Sequence, residues 1–127
     1  MSIIKTVAQP LTYQTDTLFD KGDKDFLIQA TIIAQGRVIT ICAKNIGIDR
    51  HVTITAKALI IRCQETFSSL GFLNAPKIVI TAQEAYLSGT IAEEADVDLM
   101  SDNEPCRDEA LAAQAFNRIA GQFKTPR

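Results

Sequence analysis

Two β-branched runs, residues 26–33 and 38–42, flank Ala34-Gln35-Gly36-Arg37, which is the pattern of a hairpin around a glycine turn. The second run is nearly continuous in apolar character, which predicts a central strand covered on both faces. Past a break at Gly47, apolar side chains recur at three- and four-residue spacing: Ala56, Leu59, Ile60, Cys63, Phe67 and Leu70. With Lys57, Gln64, Glu65 and Ser68 as the wet side, that spacing predicts an amphipathic helix over 53–70. Gly71 then stands as a left-handed cap and Phe72 as the residue that folds back on the last turn. Val52-Thr53-Ile54-Thr55 is β-branched, so strand or loop competes with helix over the first turn.

Asn74-Ala75-Pro76 is a turn, and Lys77-Ile78-Val79-Ile80-Thr81 a compact strand. Ala85-Tyr86-Leu87 and Gly89-Thr90-Ile91 suggest another extended piece, interrupted at Ser88-Gly89. Residues 92–104 are acidic and aperiodic and read as a loop. A second helix is expected over 105–121, opened by the capping pattern Ser101-x-x-Glu104, by Pro105 and by Asp108-Glu109. Its buried stripe is Leu111, Ala112, Ala115, Phe116 and Ile119. Gly121 and Pro126 end it, with Arg118 and Lys124 at its negative end. At the other terminus, residues 2–8 form a short β-branched run stopped by Pro10, a first strand or an arm reaching another subunit. Residues 11–25 are polar and turn-rich, with Leu18 and Phe19 left for a short pairing. No internal repeat is legible. The elements together predict one α+β domain: a mostly antiparallel sheet of four to six strands, with two main helices on one face.

Composition agrees with a single domain that buries a core of Ile, Val, Leu and Ala: 127 residues, 46% hydrophobic and 22% charged. A net charge of −2 gives no overall basic footprint for nucleic acid or anionic lipid, so only a local patch would serve. Three cysteines without C-x-x-C spacing fit free thiols in a reducing compartment. The first residues lack a signal-peptide apolar region and no run reaches membrane-spanning length, so a cytoplasmic protein without membrane contact is expected.

The order of these pieces resembles the N-terminal domain of magnesium-chelatase-like ATPases of the competence-protein M type. The turn Gly47-Ile48-Asp49-Arg50 matches that family's G-L-P-D turn without its proline. Ala56-Lys57-Ala58, Arg62 and Ser69-Leu70-Gly71-Phe72 follow as in its helix. The strand 77–81 leads through Ala82-Gln83-Glu84-Ala85-Tyr86-Leu87 to Val97-Asp98-Leu99, as the family's strand leads to its two D-L motifs. The resemblance implies the fold shared with a ribosomal-protein domain and the Lon peptidase domain. No G-x-x-x-x-G-K-[ST] loop accompanies it, so it implies an accessory domain without the ATPase module. Residues 54–91 are also similar to the helix-strand-strand opening of the BON domain of envelope proteins.

Candidate chemistry is sparse, and neither a catalytic set nor a cofactor motif stands out. Cys63 or Cys42 with His51 is a conceivable thiol–imidazole pair, but Cys63 falls on the expected core stripe, where a thiol is inert packing. Ser88, or Ser68 or Ser69, with Lys57 or Lys77 would be a Ser–Lys hydrolase pair on a Lon-like fold. Arg37, Lys44, Arg50, Lys57 and Arg62 are close in sequence and would make a basic face for nucleic acid, though without interleaved aromatics. Asp96, Asp98 and Asp102 are the candidate ligands for a hard cation, without the spacing of a calcium loop. Glu93 and Glu94 are candidate contacts for a protein partner. The expectation is a non-catalytic interaction or assembly module, self-associating or with a protein partner, in contact through residues 2–8 or the acidic segment. Nucleic-acid binding and Ser–Lys hydrolysis are the alternatives.

Overall fold

A computed structural model describes residues 10–102 and 104–121. The chain winds as a β-solenoid in which every pairing between its strands is parallel. Its strands are β1 (Leu11–Thr12), β2 (Thr17–Asp20), β3 (Phe26–Ile28), β4 (Ile32–Ala43), β5 (Ile46–Ile48) and β6 (Thr53–Cys63). They continue with β7 (Thr66–Ser69), β8 (Phe72–Asn74), β9 (Lys77–Thr81), β10 (Glu84–Leu87), β11 (Thr90–Ile91) and β12 (Asp96–Met100). A single described helix, α1 (Glu109–Gly121), follows.

Each coil passes through three faces. The first holds β1, the start of β4, the start of β6, β8 and β11; the second holds β2, the rest of β4 and β6, β9 and β12. The third is a separate sheet ordered β10-β7-β5-β3. Because strand side chains alternate, every second residue points inward, and coils in parallel register stack equivalent residues into ladders. Leu11, Ile32, Ile54, Leu73 and Ile91 form one ladder on the first face. Phe19, Ile41, Ile61, Ile80 and Leu99 form one on the second. Phe26, Ile46, Phe67 and Ala85 form one on the third. A rung recurs about twenty residues on, at the short end of solenoid repeats. The inner members Ile32, Ile41, Ile46, Ile54, Ile61, Phe67, Leu73 and Ile80 are fully buried.

The corners explain the turn residues. Gly36 has φ of +75°, a conformation that suits glycine, where β4 shifts register between Ala34 and Val38. Asn45 links coils at the next corner: its Nδ2 donates to Asp25 Oδ1 at 2.9 Å, and its Oδ1 accepts from Thr66 N at 2.9 Å. At the third corner a side chain on Gly89 would collide with the carbonyl of Gly71, and one on Gly71 with the carbonyls of Val52 and Asp49. Those two glycines let the backbones of successive coils close up.

Several expectations are therefore corrected. The fold is predominantly β with one helix, in parallel sheets, and the antiparallel α+β arrangement with two helices is overturned. The hairpin at 26–42 does not form: Gly36 bends β4 and does not reverse it. The helix over 53–70 is two strands, β6 and β7, with Gly71 at a corner in place of a helix cap. Inward residues of β6 are Ile54 and Ala56, then Leu59, Ile61 and Cys63, and the phase slip at the Lys57 corner imitates helical spacing. The acidic loop over 92–104 contains β12, paired with β9. The final helix begins at Glu109, because Asp108 Oδ1 accepts from Ala110 N at 2.8 Å and Leu111 N at 3.3 Å and so caps it. Of its expected stripe, Ala112, Ala115, Phe116 and Ile119 are buried, whereas Leu111 is 44% exposed. A repeat exists after all, in geometry and not in residue identity. The run 2–8 and the positions Lys124 and Pro126 lie outside the described residues.

Candidate functional site

The conceivable catalytic pairs are not brought together. Cys63 closes β6 beside the second corner, buried, and donates weakly to the carbonyls of Thr66 at 3.1 Å and Lys44 at 3.3 Å. Burial pushes its thiol from the ordinary 9.0 up to about 11, so little thiolate forms near neutrality. His51 sits at the third corner, its Nε2 donating to the Gln29 carbonyl at 2.9 Å. Cys42 points out of the second face, level with Arg62. Ser88 also lies at the third corner, following β10, whereas Lys57 and Lys77 lie at the boundary of the first and second faces. Ser68 is buried and donates to the Ala112 carbonyl at 2.8 Å, a tie between β7 and α1. Ser69 fills an inward rung between Ile48 and Leu87, its hydroxyl buried without a hydrogen-bond partner.

The five candidate basic residues are spread around the coil. Arg37 and Lys57 share the corner between the first and second faces. Lys44 stands at the second corner, 3.9 Å from Glu65, and Arg50 at the third, 3.2 Å from Glu109. Arg62 points out of the second face. The acidic residues are gathered more closely, all on the last coil. Asp96 and Asp98 point outward from β12, Glu93 and Glu94 occupy the turn before it, and Asp102 follows it. Lys77 meets Asp96 at 3.2 Å. Among the described residues no group of three or more His, Cys, Asp or Glu is placed to hold a metal ion. No described helix is long and apolar enough to cross a membrane.

What the fold does assemble is a set of contact surfaces. On the third face the outward row is Leu27, Gly47, Ser68 and Tyr86, and α1 lies on it with Ala112 and Phe116. On the second face the outward row is Leu18, Thr40, Ile60, Val79 and Asp98, and no described element covers it. At the first-coil end, the outer edges of β1, β2 and β3 pair with no strand among the described residues. There a hollow of about 250 Å³ opens over Leu11, Tyr13, Phe19, Phe26, Ile28 and Ile32. Phe19 packs between Tyr13, edge-on at 5.6 Å, and Phe26 at 5.7 Å, and Lys21 Nζ lies 4.9 Å over the Phe26 ring.

Sequence reasoning passed over Leu18, Ile60 and Val79 as surface residues. The signal was present: in Leu59-Ile60-Ile61 and Ile78-Val79-Ile80 the residues flanking Ile60 and Val79 are inward and fully buried, so the middle one must face out. The chain matches no protein-family model, no curated protein and no solved structure.

Proposed function

We propose that the protein is an interaction and assembly module that works by contact, associating with itself or with a protein partner through its exposed strand edges. The observation that carries this reading is the row of edges at the first coil, β1, β2 and β3, that pair with no strand among the described residues, over an apolar hollow. Unpaired strand edges present backbone donors and acceptors that a further strand completes, which is how sheets recruit other chains. The dispersal of the basic residues and the burial of Cys63 favour contact over nucleic-acid binding or thiol chemistry. Light scattering of the full chain over a wide concentration range, with affinity capture of partners, tests it. A strict monomer that retains no specific partner would sink the reading.

A further inference from the structure

Resting on that reading, we infer that the first-coil end seats a second copy of this chain, end to end about a two-fold axis, giving a closed dimer. Three observations converge. Among the described residues the inward ladders begin at this end with Leu11, Phe19 and Phe26, with no further rung above the hollow. A second copy supplies one for all of them at once and pairs the edges of β1, β2 and β3 that no described strand pairs.

The two ends of the solenoid are built differently. At the last coil, β12 carries Asp96 and Asp98 outward, with Glu93, Glu94 and Asp102 around it. Charged edges of this kind oppose pairing. The edge of β10 is also occupied there: Leu87 N donates to the Cys106 carbonyl at 2.7 Å, and Cys106 N to the Ala85 carbonyl at 2.9 Å. The first-coil edge strands are Leu-Thr, Thr-Leu-Phe-Asp and Phe-Leu-Ile, with a single acid, Asp20, and Leu18 60% exposed.

Charge selects the partner's orientation. The first-coil rim reads Asp20-Lys21-Gly22-Asp23-Lys24-Asp25. Two such rims related by a two-fold axis meet with both signs of charge on each side, three aspartates and two lysines per copy, so the repulsion between them is small. Head-to-tail stacking would set this rim, which has more aspartates than lysines, against the acidic last coil. Tail-to-tail stacking would set acid against acid. An isologous contact uses up the one adhesive end, so assembly stops at two copies.

The test measures the mass of the full chain by sedimentation equilibrium, alongside Leu18→Lys, Ile60→Lys and Met100→Lys. These sites are exposed or half-buried and outward on the second face, at its first coil, middle and last coil. Circular dichroism melts establish that each variant folds. The expected result is a concentration-dependent dimer that Leu18→Lys weakens by about tenfold or more, as a lysine on an edge strand does. The other two variants leave it within a factor of about two. Association lost with Ile60→Lys or Met100→Lys but kept with Leu18→Lys overturns the inference while leaving the assembly reading intact, and so do filaments. A monomer that dimerises only when residues 1–9 are removed assigns the mouth to the chain's own first nine residues, which also overturns it. A monomer in both forms that captures no partner removes both.

Discussion

The second and third faces of the solenoid start from the same construction and end differently. Both point large apolar side chains inward in register, and each raises an outward row midway along its strands. On the third face that row is Leu27, Gly47, Ser68 and Tyr86, low in the middle, and Phe116 of α1 settles against Gly47. On the second it is Leu18, Thr40, Ile60, Val79 and Asp98, without a gap for a ring to enter. A helix docks where the outward row leaves room for its side chains, so the small residues decide which face becomes core. The row that no described element covers keeps Leu18, Ile60 and Val79 at the surface beside Thr40 and Asp98, which makes contact surface available at little cost in stability.

The largest test of this contrast removes the ring. Phe116→Ala should cost about 3 kcal/mol or more in urea unfolding, since the cavity opens between two rigid layers. A loss below about 1 kcal/mol would mean that α1 rests on the sheet without packing into it.

The inner side of the second face is open to test by pH. The thiol of Cys63 keeps its proton to about 11 in the folded chain, against 9.0 as the ordinary value. Below pH 9 both states hold the proton and nothing changes. Between pH 9 and 11 the unfolded chain ionises first, so stability falls, by roughly 2 to 3 kcal/mol for two pH units at equilibrium. Unfolding free energies measured across that range should drop more steeply for the native chain than for Cys63→Ala; parallel slopes would contradict a buried neutral thiol.

Filling the gap on the third face is the converse of removing the ring. A Cβ on Gly47 would already lie 3.0 Å from Phe116 Cδ1 and from Leu27 Cδ1. Gly47→Val should therefore destabilise by about 1 to 3 kcal/mol through overpacking, measured by denaturant titration. Full native stability would show that α1 slides freely on this face.

Adjacent serines then give opposite signs. Ser68→Ala should cost about 1 kcal/mol by breaking the hydrogen bond to the Ala112 carbonyl. Ser69→Ala should be neutral or stabilising by up to about 1 kcal/mol, because it deletes a buried hydroxyl that has no partner. Thermal melts of the two variants side by side decide it. The smallest effect belongs to the bare face, where Val79→Thr should stay within about 0.5 kcal/mol. A larger loss would show that something packs on that row.

How much of this was legible varies with the range of the interaction. The strand at Lys77–Thr81 and the buried stripe of α1 follow from local pattern, and the structure keeps them. The start of α1 moved by four residues because Asp108 outcompetes Ser101 as a cap, a choice between two valid local signals. Residues 53–70 misled because a strand bent at a corner slips phase by one. Ala56, Leu59, Cys63, Phe67 and Leu70 are buried in the strands and at the corners, yet they also fall at three- and four-residue spacing, so a helical stripe fits them as well. The coil repeat was hidden because a rung asks only for apolar character: Leu11, Ile32, Ile54, Leu73 and Ile91 share no motif. Of the candidate site residues, the acidic ones lie on the last coil without three of them converging on a metal site, and the basic ones are spread around the coil.

By itself the sequence determined some of the extended stretches, such as Lys77–Thr81, many of the side chains that avoid water, and that an amphipathic helix lies near the end. Those properties depend on neighbours two to four positions apart. The direction of pairing, the faces of the solenoid and the placing of α1 on the third face were decided only in the tertiary structure. Each of them depends on residues a whole coil apart, such as Gly47 under Phe116 and Ser68 beside Ala112, and no local pattern carries that information.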